Sequence, residues 1–170
     1  KRVVVKSCAH SARIRMILDL FPDAKFVHIH RHPARTFRSM MHMRGKVDWE
    51  NFLHRPDRSF IDARRDHTAT IGERLYTRLI EDRALIPEGN LVEIRYDDLV
   101  GNELEVLHGI YETLRLPDWD AYEHTIKPYL DSIAGYKVNK LTIDPELEEY
   151  VYDRWRIVYD TYGYPKEYVA

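Results

Sequence analysis

The sequence predicts an α/β fold in three layers: a short parallel sheet with helices on both faces, and more helix than strand. Short runs of apolar residues lie at 3–5, 26–30 and 91–95 and have the length of buried strands. Longer segments with helical apolar spacing separate these runs and fill the C-terminal half. This alternation is typical of a parallel sheet whose strands are joined by helices.

The first elements form a predicted β-α-β unit. Residues 3–5 are three valines, which favour a strand, and residues 12–21 keep helical spacing until Pro22 ends the helix. Residues 26–30 favour a second strand. Because ligands gather beyond the carboxyl ends of parallel strands, we expect the functional side chains just after these two strands.

The later elements follow from the same patterns and from local start and stop signals. Pro33 favours the first turn of a helix, Asp144 a helix N-cap and Gly163 a helix end. A turn at residues 87–90 precedes the third strand, at 91–95. The predicted helices cover residues 33 to about 44, 60–85, 103–114, 122–132 and 145–162, and residues 45–58 are predicted as loop.

Composition limits the binding partners and the cellular compartment that we expect. The 170 residues fit a single domain, and a net charge of -2 predicts no binding to nucleic acid or to membranes. The single cysteine, Cys8, allows no intramolecular disulfide and favours the cytoplasm. A parallel sheet of three strands leaves exposed edges, and the chain starts at Lys1 without a methionine. We therefore expect a truncated domain with further strands upstream. The oligomeric state is not predicted.

One segment has the residue types of an anion site. Arg31 follows the second strand, and Ser39 lies eight positions later on the next helix. A guanidinium can bind phosphate bidentately, and a serine hydroxyl and helix N-terminal amides can donate to the same anion. The pattern therefore predicts a phosphate pocket, although an isolated pair of this kind is more often solvated surface.

The strand-Arg-x-Pro-x-x-x-x-x-Ser pattern resembles the 3′-phosphate-binding motif of sulfotransferases that use 3′-phosphoadenosine 5′-phosphosulfate (PAPS). Other ordered segments resemble bacterial and, more distantly, tyrosylprotein sulfotransferases: Lys-Ser-Cys-Ala-His at 6–10, Leu-Phe-Pro-Asp-Ala-Lys-Phe-Val at 20–27, Ile-Arg-Tyr-Asp-Asp-Leu-Val at 94–100 and Tyr-Gly-Tyr-Pro at 162–165. Together they span nearly the whole chain. The sequence departs from that family at Cys8, where proline is usual, and at His32, where an acidic or amide residue is usual.

The resemblance implies a P-loop nucleotide-kinase-like architecture and sulfuryl transfer from PAPS, as co-substrate and without a metal, to a hydroxyl or amine. The acceptor would be a small molecule, a glycan or a protein, selected by loops such as 44–58. Arg31 and Ser39 would bind the 3′-phosphate. Lys6 would neutralise charge on the sulfuryl group and the leaving phosphate, with a surface lysine as the alternative.

Four further residues have both a functional and a structural interpretation. His10 is a candidate for the base, or a cap or surface residue. By resemblance Tyr96 would pack near the adenine, or it is a core tyrosine. Lys137 and Lys140 would belong to a late basic loop that closes on the nucleotide, or to a solvated charge run.

The family's N-terminal phosphate loop, a Gly-Thr-Thr turn that holds the 5′-phosphosulfate, does not occur in these 170 residues, so we expect no turnover by this chain alone. A catalytically inactive module that binds a nucleotide or a partner is the alternative. A nucleotide-kinase phosphotransferase is disfavoured because no Walker-type glycine loop is present. His28, His30 and His32 share a strand face and suggest a metal site, but zinc would want further ligands in a tetrahedral array.

Overall fold

The computed structural model describes residues 3–47, 53, 57–135 and 141–168. Its strands are β1 (Phe26–His30) and β2 (Leu91–Arg95), and 3-10 helices lie at Cys8–Ala12 and Arg83–Leu85. Its α-helices are α1 (Ile14–Leu20), α2 (Pro33–Val47), α3 (Arg58–Asp82), α4 (Tyr96–Leu99), α5 (Glu103–Thr113), α6 (Trp119–Ile133) and α7 (Pro145–Tyr162). The predicted α/β class, the short parallel sheet and the excess of helix are confirmed.

The sheet contains two of the three predicted strands. β1 and β2 pair in parallel, with His30 opposite Arg95, and both have the predicted bounds. The prediction of a strand at residues 3–5 is wrong, and with it the first β-α-β unit: in the described residues β1 pairs with β2, and the three valines are 67–89% exposed. A valine run becomes a strand only when its amides and carbonyls pair with a neighbour, and local propensity does not supply one.

Helix ends follow local chemistry. Asp144 accepts a hydrogen bond from the amide of Leu147 at 2.8 Å, and Gly163 ends α7 with a left-handed φ of 64°, both as predicted. α2 begins at Pro33 as predicted but continues to Val47, past its predicted end. None of the helices in the described part of the chain has the length and apolar composition needed to cross a bilayer.

The described residues form two compact units. The helical unit comprises the described parts of residues 1–14, 32–84 and 141–170, in which α2, α3 and α7 pack together. Its core surrounds the fully buried ring of Trp155, whose Nε1 donates to the carbonyl of Ala69 at 2.8 Å. The ring lies against the backbone of Gly72, where a Cβ atom would stand 2.1 Å from it. Only glycine fits at that position.

The sheet unit comprises the described parts of residues 15–31 and 85–140. Its core is smaller and consists of Ile94, Ile110 and Leu114, from β2 and the end of α5. The amino group of Lys25 donates to the carbonyl of Leu114, which places a cation at the C-terminal end of α5. This unit carries the two strands, and therefore the edge where functional side chains are expected.

Candidate functional site

Arg31 and Tyr96, the first residues after the two strands, lie in contact. The parallel register ends both strands at one edge of the sheet, with His30 opposite Arg95. The Cζ atom of Arg31 lies 4.2 Å from the centre of the Tyr96 ring, a cation–π contact. Stacking on the ring restricts the orientation of a planar, charged donor group. The sequence predicted both residues but not this contact, which follows from the register.

His30 lies next to this pair in sequence and is buried, with an exposed fraction of 7%. Its pKa is lowered to about 4, first by burial and then by the nearby His28, while Glu93 acts in the opposite direction. The Nδ1 atom of His28 lies 3.3 Å from a carboxylate oxygen of Glu93. His30 is therefore neutral at pH 7, and it adds no charge beside the arginine.

The sequence also suggested, as a disfavoured alternative, a metal site at the three histidines. His32 belongs to the helical unit, whereas His28 and His30 belong to the sheet unit. In the parts of the chain that the structure describes, no group of three or more His, Cys, Asp or Glu side chains could hold a metal ion.

Ser39 lies in the second turn of α2 and is half-buried. The first turn of this helix is regular, because the amide of Thr36 donates to the carbonyl of His32 at 2.9 Å. A helix of fifteen residues directs the positive end of its dipole towards an anion at its N-terminus. Arg31 belongs to the sheet unit and Ser39 to the helical unit, so the pairing of the two around one phosphate stays a prediction.

Lys6 and His10 lie near the start of the helical unit. Lys6 is exposed and precedes the 3-10 helix rather than ending a strand, because residues 3–5 form none. Ser7 caps that 3-10 helix through its hydroxyl, which accepts from the amide of Ala9 at 3.3 Å. His10 is half-buried within the 3-10 helix, which packs against α3, and its buried Nδ1 atom has no hydrogen-bond partner among the described residues. A buried polar atom of this kind is a candidate for contact with a ligand.

Lys137 and Lys140, the predicted basic residues of the late loop, lie outside the described residues. The loop predicted at 45–58 also lies mostly outside them.

Comparison with a protein-family model identifies the family of this chain. The model of the sulfotransferase family matches residues 1–121, which is more than half of the chain. The chain belongs to the sulfotransferase family. The match includes Lys6, His10, Arg31, Ser39 and Tyr96, and it ends before α7. The family resemblance read from the sequence is thereby confirmed.

Two curated sulfotransferases are similar to nearly all of this chain. The omega-hydroxy-beta-dihydromenaquinone-9 sulfotransferases Stf3 of Mycobacterium bovis and Mycobacterium tuberculosis are each 32% identical to it over 166 residues. The similarity covers 98% of this chain and 42% of each relative. The chain thus spans less than half the length of these relatives. No solved structure matches.

Sequence patterns indicated no functional role for residues after the late loop, yet α7 and the residues that follow it surround His32. Its ring is 3% exposed and lies 5.5 Å from Tyr159, 5.5 Å from Tyr164 and 5.1 Å from Tyr168, between ring centres. Burial raises the pKa of Tyr159, although the nearby amide of Ala34 partly offsets this effect. The sequence signal that pointed here was the Tyr-Gly-Tyr-Pro segment, which the resemblance explained only as a family ending.

Proposed function

We propose that the protein carrying this chain transfers a sulfuryl group from PAPS to an acceptor, and that this chain binds the 3′-phosphate of the donor. Arg31 supplies a bidentate, charged contact to that phosphate. Ser39 supplies a hydroxyl donor from α2. Tyr96, Lys137 and Lys140 complete the nucleotide site, the tyrosine near the adenine and the lysines from the loop that closes on it.

The observation that carries this proposal is the stacking of Arg31 on Tyr96 at the end of two parallel strands, in a chain of the sulfotransferase family. The edge where parallel strands end is where α/β folds bind nucleotides. An arginine held in one orientation loses less side-chain entropy when it binds an anion, because the planar group is already positioned. The donor set, one guanidinium with a hydroxyl and helix amides, suits a phosphate dianion.

The chemical step needs a base and a cation. A base, for which His10 is the candidate, takes the proton of the acceptor as its oxygen or nitrogen bonds to sulfur. The bond between sulfur and the bridging oxygen breaks in line, and adenosine 3′,5′-bisphosphate leaves with the electron pair. Lys6 stabilises the charge that develops on the bridging and non-bridging oxygens. Lys6 is exposed, and the buried Nδ1 atom of His10 has no hydrogen-bond partner within the described part of the chain; both observations support these assignments.

For the acceptor we propose a hydroxyl group. The names of the mycobacterial relatives specify an omega-hydroxy compound, and this supports a hydroxyl over the amine that the sequence left open. A small molecule, a glycan or a protein could present that hydroxyl. A cytoplasmic location, a single truncated sulfotransferase domain over residues 1–170, and the absence of nucleic-acid and membrane partners stay predictions.

Calorimetric titration of the full-length protein with adenosine 3′,5′-bisphosphate tests the proposal. Arg31→Ala should weaken binding by about 2–3 kcal/mol, because a charge-assisted contact is lost. Arg31→Lys should lose less, since it keeps the charge without the planar fork. Arg78→Ala is the matched control, because Arg78 is an exposed arginine on α3 paired with Glu81, and its binding should equal that of the wild type.

Two outcomes of these experiments would count against the proposal. If Arg31→Ala binds the bisphosphate as tightly as Arg78→Ala, Arg31 does not bind the 3′-phosphate. Bisphosphate binding without sulfuryl transfer to any hydroxyl acceptor by the full-length protein would instead favour the inactive nucleotide-binding module.

A further inference from the structure

His32 is bound to the segment that follows α7, which we call the C-terminal tail (residues 163–168). Its Nε2 atom lies 3.0 Å from the carbonyl oxygen of Pro165. A carbonyl only accepts hydrogen bonds, so Nε2 carries the hydrogen and donates it. The two residues are separated by 133 positions in the sequence, and the bond therefore ties the start of α2 to the end of the chain's described part.

Other contacts hold the tail to the first turn of α2 and to α7. The guanidinium of Arg35 lies 5.4 Å from the centre of the Tyr168 ring. The amide of Tyr168 donates to a carboxylate oxygen of Glu148 on α7, at 2.6 Å. The carbonyl of His32 accepts the first hydrogen bond of α2, from Thr36. His32 thus directly precedes α2, where its carbonyl accepts the first hydrogen bond of the helix and its side chain contacts the tail.

The enclosure of the ring decides how His32 can act. At 3% exposure, with one nitrogen donating to Pro165 and tyrosine rings around it, the imidazole cannot touch a substrate. It can only act through the residues it holds. Its side chain holds the tail, and its backbone carbonyl accepts from Thr36 in the first turn of α2. That turn carries the positive end of the helix dipole that is proposed to favour the 3′-phosphate.

We propose that His32 is a positioning residue of the donor site: by anchoring the C-terminal tail through Pro165, it fixes the first turn of α2 in the arrangement that binds the 3′-phosphate. This inference rests on the proposed function, because it concerns the same phosphate. It gives a role to the departure at His32 and to the Tyr-Gly-Tyr-Pro segment. Asparagine or aspartate at this position is too short to reach Pro165 as the Nε2 atom does, whereas glutamine can present a donor at a similar distance.

The test compares two ligands in the full-length protein by calorimetry. Adenosine 3′,5′-bisphosphate carries the 3′-phosphate, and adenosine 5′-monophosphate lacks it. His32→Phe keeps an aromatic ring but removes the donor, and it should weaken bisphosphate binding roughly ten-fold while changing monophosphate binding less than two-fold. His32→Gln should restore most of the bisphosphate affinity. Lys166→Met is the matched control in the same tail, because the Lys166 side chain contacts Glu149 and Tyr152, both on α7; its binding should not change.

The outcomes separate the two proposals. If His32→Phe binds the bisphosphate like the wild type, or loses affinity for both ligands equally, His32 does not position the phosphate site and the inference is wrong. If the wild type itself does not prefer the bisphosphate, or Arg31→Ala does not change that preference, the proposed function fails first. Should His32→Phe not fold, Tyr168→Leu loosens the same anchor at its partly exposed end, and it should lower bisphosphate affinity alone; an unchanged affinity would overturn the inference.

Discussion

The two units differ in how their apolar residues are covered. In the helical unit the aromatic ring of Trp155 is fully buried, and its neighbours Phe37 and Tyr76 meet it edge to face. In the sheet unit the strand β1 leaves Val27 and Ile29 about half exposed, at 45% and 50%, while His30 is buried. The helical unit therefore covers its core with residues of this chain, whereas β1 turns its polar side inward. Alternation in a strand specifies two faces but not which of them is covered.

The units also differ in how their helices begin. In the helical unit, Asp57 and Asp144 accept hydrogen bonds from the amides of Phe60 and Leu147, so α3 and α7 start with side-chain caps. In the sheet unit, α5 and α6 follow Asn102 and Asp118, and neither side chain makes a cap hydrogen bond. Asp118 even adopts a left-handed φ of 64°, which a non-glycine residue seldom does. The helical unit therefore combines capped helices with a well-covered core.

The largest expected effect of a substitution on the free energy of unfolding is at Gly72. A Cβ atom there would lie 2.1, 2.6 and 2.9 Å from three atoms of the Trp155 ring, which is enclosed and cannot move aside. Gly72→Ala should lower the free energy of unfolding by about 3 kcal/mol or more. Denaturant unfolding followed by tryptophan fluorescence measures this loss.

Gly109 on α5 is the matched control in the sheet unit. Among the described residues, no atom outside the backbone of α5 and the neighbouring residues lies within 4 Å of a Cβ atom added there, and alanine is the better helix former. Gly109→Ala should therefore stabilise the protein by about 0.5–1 kcal/mol. Equal effects of the two substitutions would contradict the difference in packing between the units.

The sequence predicted what depends on neighbouring residues. The bounds of β1, and α7 with its Asp144 cap and Gly163 end, follow from local patterns and are confirmed. The strand at residues 3–5 was wrong because a strand needs a partner that local propensity cannot supply. Arg31 and Tyr96 could be named from the sequence as strand-end residues, but their contact depends on the register. The bond from His32 to Pro165 joins residues 133 positions apart, and local sequence spacing does not predict contacts between residues so far apart.

An effect of intermediate size is expected from the inward-facing His30. Its pKa is lowered from 6.5 to about 4 in the folded protein, first by burial and then by His28, while Arg95 acts in the same direction and Glu93 and Asp98 oppose it. Between pH 6.5 and 4 the unfolded chain binds the proton and the folded protein does not. His30 therefore does not lower the free energy of unfolding above pH 6.5, and this full stability is lost as the pH falls towards 4. The loss is at most on the order of 3 kcal/mol.

Two measurements check this contribution. In the wild type, NMR titration should show one histidine ring that stays neutral down to about pH 4, and His30→Gln should remove that signal. The free energy of unfolding of His30→Gln should fall less steeply between pH 6.5 and 4 than that of the wild type. Parallel pH profiles for the two proteins would show that His30 is not held neutral by the sheet unit.

The smallest expected effect concerns the helix caps. Asp144→Ala removes the 2.8 Å hydrogen bond to the amide of Leu147 and the negative charge at the N-terminus of α7, so it should cost about 1 kcal/mol of unfolding free energy. Asn102→Ala is the counterpart in the sheet unit; its side chain makes no cap hydrogen bond and instead donates to the carbonyl of Asp98 at 3.2 Å. That exposed bond should contribute less than about 0.5 kcal/mol. Chemical denaturation of the two variants at the same pH compares them directly, and a larger loss for Asn102→Ala than for Asp144→Ala would mean that side-chain caps do not distinguish the two units.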